Sequence, residues 1–589
     1  MDLSSIISDP RDQLKPLGDL APFPSAHLPL SSTLEEFKER FTYQNETFKF
    51  EPFQPENTRP ASTSNIPNNI NHESPIEWFH LFYTPEILRV ITNHTNEYAT
   101  WQRRIDKGQQ QRPWQPLCVE ELQVFLGVVI YMGVHHSPQI EDYWNTDLKK
   151  GPLHSVAAHM SLVRFEQIKR YLHVSSIEAD QREGKEANAD TIWWHKVEPL
   201  ASHLNGLFKH YYTPSSHVSI DELMIRCFGR SLHTYKMPNK PITQGYKLYG
   251  LADDGYLFCF HWSSRVHGLE KVTEVITELT KTGMLVTHLI SKLPRKYITI
   301  YMDNFFTSVP LFQLLRERGF GACGTTRPHS QFPSVLREIK DKWGKKLPWN
   351  SLYSWVVNGT LCIAWQDNNI VLFLTTIHSP SGLYSMVERI RKAPSKTSTN
   401  AAHARKPFDG SAIKSLLIPR FIDDYNHFMG GVDLANQLRA SYEVHRPTRR
   451  TWWPIFFWLL DASIVNAYKL SVIHAQHKAL KAWDQAQFRM DLASSLIGFS
   501  TAVQIVRLNE TIIGPRLFET NAHHWETRLK RSECAACLYT QRRARIESRG
   551  VKKYRRAPIA RKGCSFCKVP LCRNGDCWNW FHTASLIVV

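Results

Sequence analysis

This sequence lacks a long apolar run free of polar and charged residues. The longest apolar run, WWPIFFWLLDASIVNAYKLSVI from Trp452, carries Asp461, Asn466 and Lys469. Charges of that kind are costly in lipid, so a buried helix is expected and no membrane partner. The opening MDLSSIISDP lacks the basic start and apolar core of a secretory signal, and an intracellular, soluble protein is expected. Acidic residues are also in deficit: 54 Asp and Glu stand against 72 Lys and Arg, a formal charge of +18. A basic surface attracts phosphate chains, which points to nucleic acid. Internal repeats are absent. Cysteine is sparse through most of the chain, where Cys118, Cys227, Cys259, Cys323 and Cys362 follow no motif spacing and read as core residues. The other six of the 11 crowd between Cys534 and Cys577, and in an intracellular protein such crowding reads as metal binding before disulfides.

At 589 residues the chain is several times the ~100–200 of one domain. Residues 1–75, rich in Pro, Ser, Asn and Thr, read as a disordered arm. Residues 76–216 show apolar positions three and four apart, as in EELQVFLGVVIYMGV, and read as helical. The period then shifts to two. HVSIDELMIRCFG, QGYKLYGLADD and GYLFCFHWSS predict a three-stranded meander with a tight Asp-Asp-Gly turn. LEKVTEVITELTKTG predicts a helix, and YITIYMDNFF a short strand ending in an acid. Three strands, a helix and a fourth strand returning parallel beside the first is the order a ribonuclease-H-like sheet requires. That core is expected over 217–440, with a β-rich insertion at about 345–400 whose two runs are LYSWVVNGTLCIAWQD and NIVLFLTTIHS. Residues 441–520 read as the second part of the helical domain and 521–589 as a cysteine-rich domain. The fold class is thus mixed α/β and multidomain.

Three acids stand at ends or centres of these elements: Asp221 within the first strand, Asp303 closing the fourth, and Asp433 near a helix start. A single such Asp is usually a cap or surface charge. Together they have the chemistry for hard Mg²⁺, and two such ions ~3.5–4 Å apart can clamp the attacking and leaving oxygens of phosphoryl transfer. SIDELMIRCFGRSLHTYKMPNKPITQGYKLYGLAD resembles the first catalytic block of piggyBac transposases. YMDNFFTSVPL resembles the second block, and DDYNHFMGGVDLANQLRASY the third, in the expected order. FLGVVIYMGV and RFEQIKRYLH resemble the family's helical DNA-binding region, so the likeness runs over about 76–585. It implies that Asp221, Asp303 and Asp433 hold two Mg²⁺, nick a transposon end and let its 3′-hydroxyl form a hairpin that is later joined at a TTAA target. A homodimer on double-stranded DNA, in the nucleus, is implied as well.

One position departs from that pattern. The family often has a fourth acid one turn after the third, and here it is Asn436, a single neutral oxygen. Asp424 could compensate; the alternative is a domesticated, catalytically inactive DNA- or chromatin-binding protein. Glu222 points to the opposite face of its strand from Asp221. Asn304 could orient a ligand, and Gly430 and Gly431 mark a helix start, a close backbone approach or a DNA contact. Trp453, in RPTRRTWWPIFFW, matches a family tryptophan that as an exposed indole could stack on an unpaired base, with core packing the other reading. Trp452 reads as core or interface. Arg446, Arg449 and Arg450 could hold phosphates or simply be solvated.

The tail contains Cys534-x2-Cys537, Cys564-x2-Cys567, Cys572, Cys577 and His582, with His524, or His523, upstream. Two thiolates two residues apart can reach one tetrahedral zinc, and eight ligands fit two zinc ions, for which an interleaved arrangement is expected. The cysteine-rich domain that ends piggyBac transposases is similar. From residue 521 onward 15 Lys and Arg face four Asp and Glu, so most of the chain's excess charge lies there. The run RRARIESRGVKKYRRAPIARK reads as a nuclear localisation signal, a DNA contact or a solvated loop. A histone reader of the PHD kind is a third reading, for which Trp578 and Trp580 alone are insufficient.

Overall fold

The computed structural model describes residues 50–54, 63–106, 112–147, 149, 151–180, 193–270, 272, 274–343, 347–379, 386–397, 401–512, 525–534, 536–537, 558–564, 570–572 and 577. Most of the expected N-terminal arm lies outside the described residues, as do His523, His524, Cys567, His582 and much of the basic run of the tail. Two compact units result. One comprises Met1–Pro113, Val129–His136 and Tyr171–Leu492, the other Trp114–Val128, Ser137–Arg170 and Ala493–Val589.

The first unit is built on a ten-stranded sheet. Its main strands are β1 (His217–Arg226), β2 (Gln244–Asp253), β3 (Tyr256–Ser264), β4 (Thr299–Met302), β5 (Gly321–Thr325), β6 (Leu352–Val357), β7 (Thr360–Gln366) and β8 (Ile370–Thr375). They lie in the order β6-β7-β8-β5-β4-β1-β2-β3, with short strands at Tyr235–Lys236 and Gly268–Leu269. β1, β2 and β3 form the antiparallel meander that their period-two pattern predicts. Asp254 and Gly255 take φ of +44° and +84°, giving the two-residue turn the twist that a hairpin needs. β4 returns parallel beside β1, and β5 lies parallel beside β4.

Helices follow from the three- and four-residue apolar spacing: α1 (Pro85–Ile105), α2 (Val119–Val134), α3 (Leu162–Tyr171), α4 (Leu200–His210), α5 (Lys281–Ile290) and α6 (Val309–Glu317). After the sheet come α7 (Arg420–Phe428), α8 (Gly431–Ser441), α9 (Trp453–His477) and α10 (Gln485–Ile512). α6 is the crossover that parallel β4 and β5 require. α9 is long and apolar enough to cross a membrane by length and composition, yet 83% of its most apolar window is buried inside the protein. Its polar residues explain why. Asn466 accepts from the Leu257 N–H and donates to the Leu257 carbonyl, each at 2.9 Å, clamping α9 to β3. Lys469 reaches Asp254 at the hairpin turn, 2.9 Å away.

Two segments differ from the sequence reading. Residue 272 and residues 274–279 of LEKVTEVITELTKTG are not helical, and α5 begins only at Lys281. Val272, Thr273, Val275, Ile276 and Thr277 are β-branched and lose rotamer freedom in a helix. Thr280 supplies the start instead, its hydroxyl accepting from the Gly283 N–H at 3.1 Å. The insertion's two runs form three strands, because Asn358 and Gly359, at φ of +45° and +71°, split the first run into the hairpin β6–β7, and a fourth strand, Met386–Lys392, pairs with Ile413–Pro419. β8 then joins β5 antiparallel, so the insertion extends the central sheet.

In the second unit Arg164 of α3 grips Glu121 of α2 through two hydrogen bonds of 2.9 and 2.6 Å and lies over the Trp114 ring. Gly127 sits against Leu496 and the Ala493 carbonyl so closely that a Cβ would meet Leu496 at 2.8 Å. At the chain's end β9 (Trp525–Glu533) pairs antiparallel with β10 (Ile559–Cys564).

Candidate active site and a cysteine-built metal site

Strand register brings two of the three acids together. β1 and β4 pair from His217 with Thr299 to Ile220 with Met302, so the next step along each strand is Asp221 and Asp303. Adjacent strands lie ~4.8 Å apart, and side chains one step on from paired residues share a neighbourhood. Asp221 accepts from the Glu222 N–H at 2.7 Å, and Asp303 from the Phe305 N–H at 2.9 Å, which fixes each carboxylate at its root.

The third acid comes from α8. Ser219 lies two residues before Asp221 and so on the same face of β1. Its hydroxyl accepts from the Val432 N–H at 3.1 Å. At Gly431 a Cβ would meet the Ser219 hydroxyl at 2.7 Å and the Ala252 carbonyl oxygen at 3.1 Å, so only glycine lets the helix start dock this closely. Asp433 follows in the first turn of α8 and is exposed. Gly430, the other glycine of the pair, has open space around it.

Electrostatics tie the three together. Burial, followed by the charges of Asp303, Asp433 and Glu222, pushes the Asp221 carboxyl up to about 7. Burial and then Glu222 also raise Asp303, against the opposing charges of Lys240 and Arg327. A carboxylate set under such mutual repulsion is chemically suited to divalent cations. The three aspartates do not form a single tight cage: among the described residues the one group of three or more His, Cys, Asp or Glu with all ligand atoms within 4.8 Å is made of cysteines. Ligands at opposite ends of a two-ion site need no such closeness, since each ion would be reached from its own side.

Neighbouring candidates have definite places. Glu222 is engaged by Lys240 at 2.8 Å and Lys247 at 2.6 Å, and although burial alone would raise it, these ammonium groups hold it below its ordinary value. The Asn304 side-chain oxygen accepts from Arg327 at 2.8 Å. Asn436 is half-buried on α8 and lines a crevice with Leu223 and Trp458. Asp424 is hydrogen-bonded to His378 at 2.9 Å. Trp453 is 1% exposed and packs on Phe456 and Phe457, so stacking on a base would require it to leave this packing. Arg446 donates to the carbonyls of His445 and Met132, Arg450 to that of Leu172, and Arg449 is exposed. Sequence reasoning passed over Ser219, Lys240 and Arg327, whose roles depend on pairing and loop geometry; the nearest signal was their place in or beside the first and second motif blocks.

In the tail the sulfurs of Cys534, Cys537, Cys572 and Cys577 all lie within 4.8 Å of one another. Cys537 is 3.7 Å from Cys572 and 3.5 Å from Cys577, and those two are 3.3 Å apart. Four sulfurs at ~2.3 Å from one tetrahedral zinc would sit ~3.8 Å apart, so the donor set fits that ion. The Cys534-x2-Cys537 pair thus meets Cys572 and Cys577, passing over Cys564, which is buried beside them but outside the group.

The family described as Transposase IS4 matches this chain over residues 74–468. PiggyBac transposable element-derived protein 2 of Homo sapiens is 26% identical over 480 residues, covering 79% of this chain and 72% of that protein. PiggyBac transposable element-derived protein 3 of Homo sapiens is 25% identical over 401 residues, covering 67% of this chain and 61% of that protein. A cryo-EM structure of the piggyBac transposase synaptic complex with hairpin DNA has the same fold, with a TM-score of 0.60 at 19% identity, over 77% of this chain and 87% of that one.

Proposed function

The chain belongs to the Transposase IS4 family, among its piggyBac-type members, and from that premise we propose that it cleaves and transfers DNA strands at transposon ends, with Asp221, Asp303 and Asp433 as the catalytic residues. One observation carries the reading: a mid-strand acid, a strand-end acid and a helix-start acid share one electrostatic site in which Asp221 is pushed up to about 7. The strand order, with β4 parallel beside the first strand of a meander, supports a ribonuclease-H-like core.

In this reading Asp221, Asp303 and Asp433 would hold two Mg²⁺, which when bound supply Lewis acidity and a more acidic attacking water or hydroxyl. The chain's own contribution is positioning. β1 and β4 fix two carboxylates by register, and the Ser219–Val432 contact sets where α8 delivers the third. Lys240 and Arg327, whose charges already act on Asp303, add positive potential for an entering phosphate. The basic tail and Arg449 would add further phosphate contacts, and the cysteines two structural zinc ions. A TTAA target, a homodimer and a nuclear location belong to the same proposal.

Asn436 favours a second reading, in which the chain keeps the fold and binds DNA without cutting it. The discriminating experiment is nicking of a transposon-end duplex with Mg²⁺. Wild type should nick and Asp303→Asn should not, while both bind the duplex equally; the amide is nearly isosteric but removes a full charge from the site. Cleavage that persists in EDTA or in Asp303→Asn overturns the metal reading. Binding without nicking by wild type supports the domesticated one.

A further inference from the structure

A cavity of about 360 Å³ opens in the first unit, and none of the three aspartates lines it. Its wall carries three large aromatic side chains, Tyr98, Trp101 and Trp452, and the charged groups Asp180, Lys196 and Arg450. The volume falls within the ~300–1,000 Å³ of pockets that take small organic ligands.

The rings are braced. Tyr98 stacks flat on His173, with centroids 4.1 Å apart and planes 5° apart, and Trp452 stacks on Trp453 at 5.1 Å. The Arg450 guanidinium lies over the Tyr98 ring, 5.6 Å from its centroid. Asp180 is also fixed, accepting from Lys196 at 2.6 Å, His173 at 2.6 Å and Ser175 at 2.7 Å. Burial lowers the pKa of His173, so the imidazole is neutral near pH 7, and its Nδ1 is buried with no hydrogen-bond partner. Two cations therefore line the cavity against one carboxylate, beside aromatic faces held in place.

That combination selects a ligand class. A cationic guest would meet Lys196 and Arg450, and a purely apolar guest would leave three charges desolvated without return. A planar, hydrogen-bonding ring attached to an anion satisfies both walls. We propose that this cavity binds a single nucleotide unit, its base against Trp101 and Trp452 and its phosphate toward Lys196 and Arg450. The unit can come as a free mononucleotide or as an unpaired residue of a DNA strand, since both present the same ring and phosphate. The assignment needs no metal and stands apart from strand cleavage.

The test is fluorescence titration of the full chain with two probes: 2-aminopurine deoxyriboside 5′-monophosphate, and a duplex carrying one unpaired 2-aminopurine. A fully paired duplex serves as reference. Saturable quenching of either probe is expected, identifying the free or the strand-borne source. Trp101→Ala should weaken it on the order of ten-fold and Trp101→Phe should restore most of it. Lys196→Gln gives a second variant with a loss in the same direction, and circular dichroism checks that each folds. Binding of the fully paired duplex should be unchanged in Trp101→Ala. No saturable quenching of either probe, or quenching unaltered in both Trp101→Ala and Lys196→Gln, overturns the proposal. A wild type that binds the mononucleotide but no duplex would count against the DNA-cutting reading and leave this one standing.

Discussion

The Val432 backbone N–H donates to the Ser219 hydroxyl at 3.1 Å, and through that one bond the helix carrying Asp433 is registered on the strand carrying Asp221. Ser219 is fully buried and so is Val432, so the contact excludes water. Gly431 makes it reachable, because any Cβ there would collide with Ser219 and Ala252.

Gly431→Ala should therefore impair cleavage more than binding. A shift of about 1 Å in a catalytic group can cost on the order of 100-fold in rate, and the helix start must move by some such amount to admit a methyl group. Ser219→Ala should cost about 1–3 kcal/mol of stability by leaving the Val432 N–H unsatisfied. Nicking rates measured beside duplex affinity, with a thermal melt for each variant, check both. Wild-type nicking by Gly431→Ala would show that the docking does not set the site.

A second contact governs stability without touching the site. The Arg489 guanidinium donates to Asp461 at 2.9 Å, with both residues fully buried, and Asp461 also accepts from the Val444 N–H at 3.1 Å. Arg489→Met alone should destabilise by about 3–5 kcal/mol, because it strands the Asp461 carboxylate in the core. The double variant Asp461→Leu with Arg489→Met should recover most of that loss, apart from the unsatisfied Val444 N–H. Denaturant midpoints of the three proteins decide it. A double variant as unstable as the single one would mean the pair is needed for itself.

Much of this architecture was legible in the sequence because the signals are local. The meander announces itself through alternation and an Asp-Gly turn, and α9 through its length and apolar content. What local pattern hides is register: nothing in HVSIDELMIR states that Ile220 pairs with Met302, yet that pairing sets Asp221 beside Asp303. Capping misled in the opposite direction, since the apolar spacing of LEKVTEVITELTKTG suits a helix until Thr280 competes to start one later. Trp453 shows the limit of motif reasoning. A tryptophan before a helical proline fits an exposed stacking residue and a core anchor equally well, and only packing distinguishes them.

Acid should weaken the first unit through a packed histidine pair, one member buried and the other half-buried. His261 of β3 and His288 of α5 have centroids 4.6 Å apart, and burial first, then neighbouring positive groups, lowers each to about 4. Lys292 opposes protonation of both and Lys209 that of His288, while the Glu270 backbone carbonyl, 3.3 Å from the His261 Nε2, favours that of His261. A histidine whose folded pKa lies below its unfolded value of ~6.5 stabilises the fold above that value, and the contribution is lost as pH falls toward the folded pKa. At pH 5 the loss for His261 should be on the order of 2 kcal/mol. His261→Gln should flatten the decline in melting temperature between pH 7 and 5. An unaltered slope would place the acid sensitivity in other groups.

Zinc content tests the tail by separating its two expected sites. Cys534, Cys537, Cys572 and Cys577 form one cluster, whereas Cys564, Cys567, His582 and one of His523 and His524 remain as the ligands expected for a second ion. Metal analysis of the full chain should find two zinc ions. Cys537→Ser should remove one of them, since a hydroxyl is a far poorer ligand than a thiolate and a tetrahedral site seldom holds zinc on three sulfurs. Cys567→Ser should remove the other, and Cys537→Ser combined with Cys572→Ser should lose no more than Cys537→Ser alone, because both serve the same ion. If the second substitution costs another zinc, the four sulfurs do not share an ion. Zinc absent from wild type, with the cysteines paired as disulfides, would overturn the metal reading of the tail altogether. Binding free energy is folding free energy in small metal modules, so chelation should also expose the tail to protease while the melt of the first unit stays unchanged.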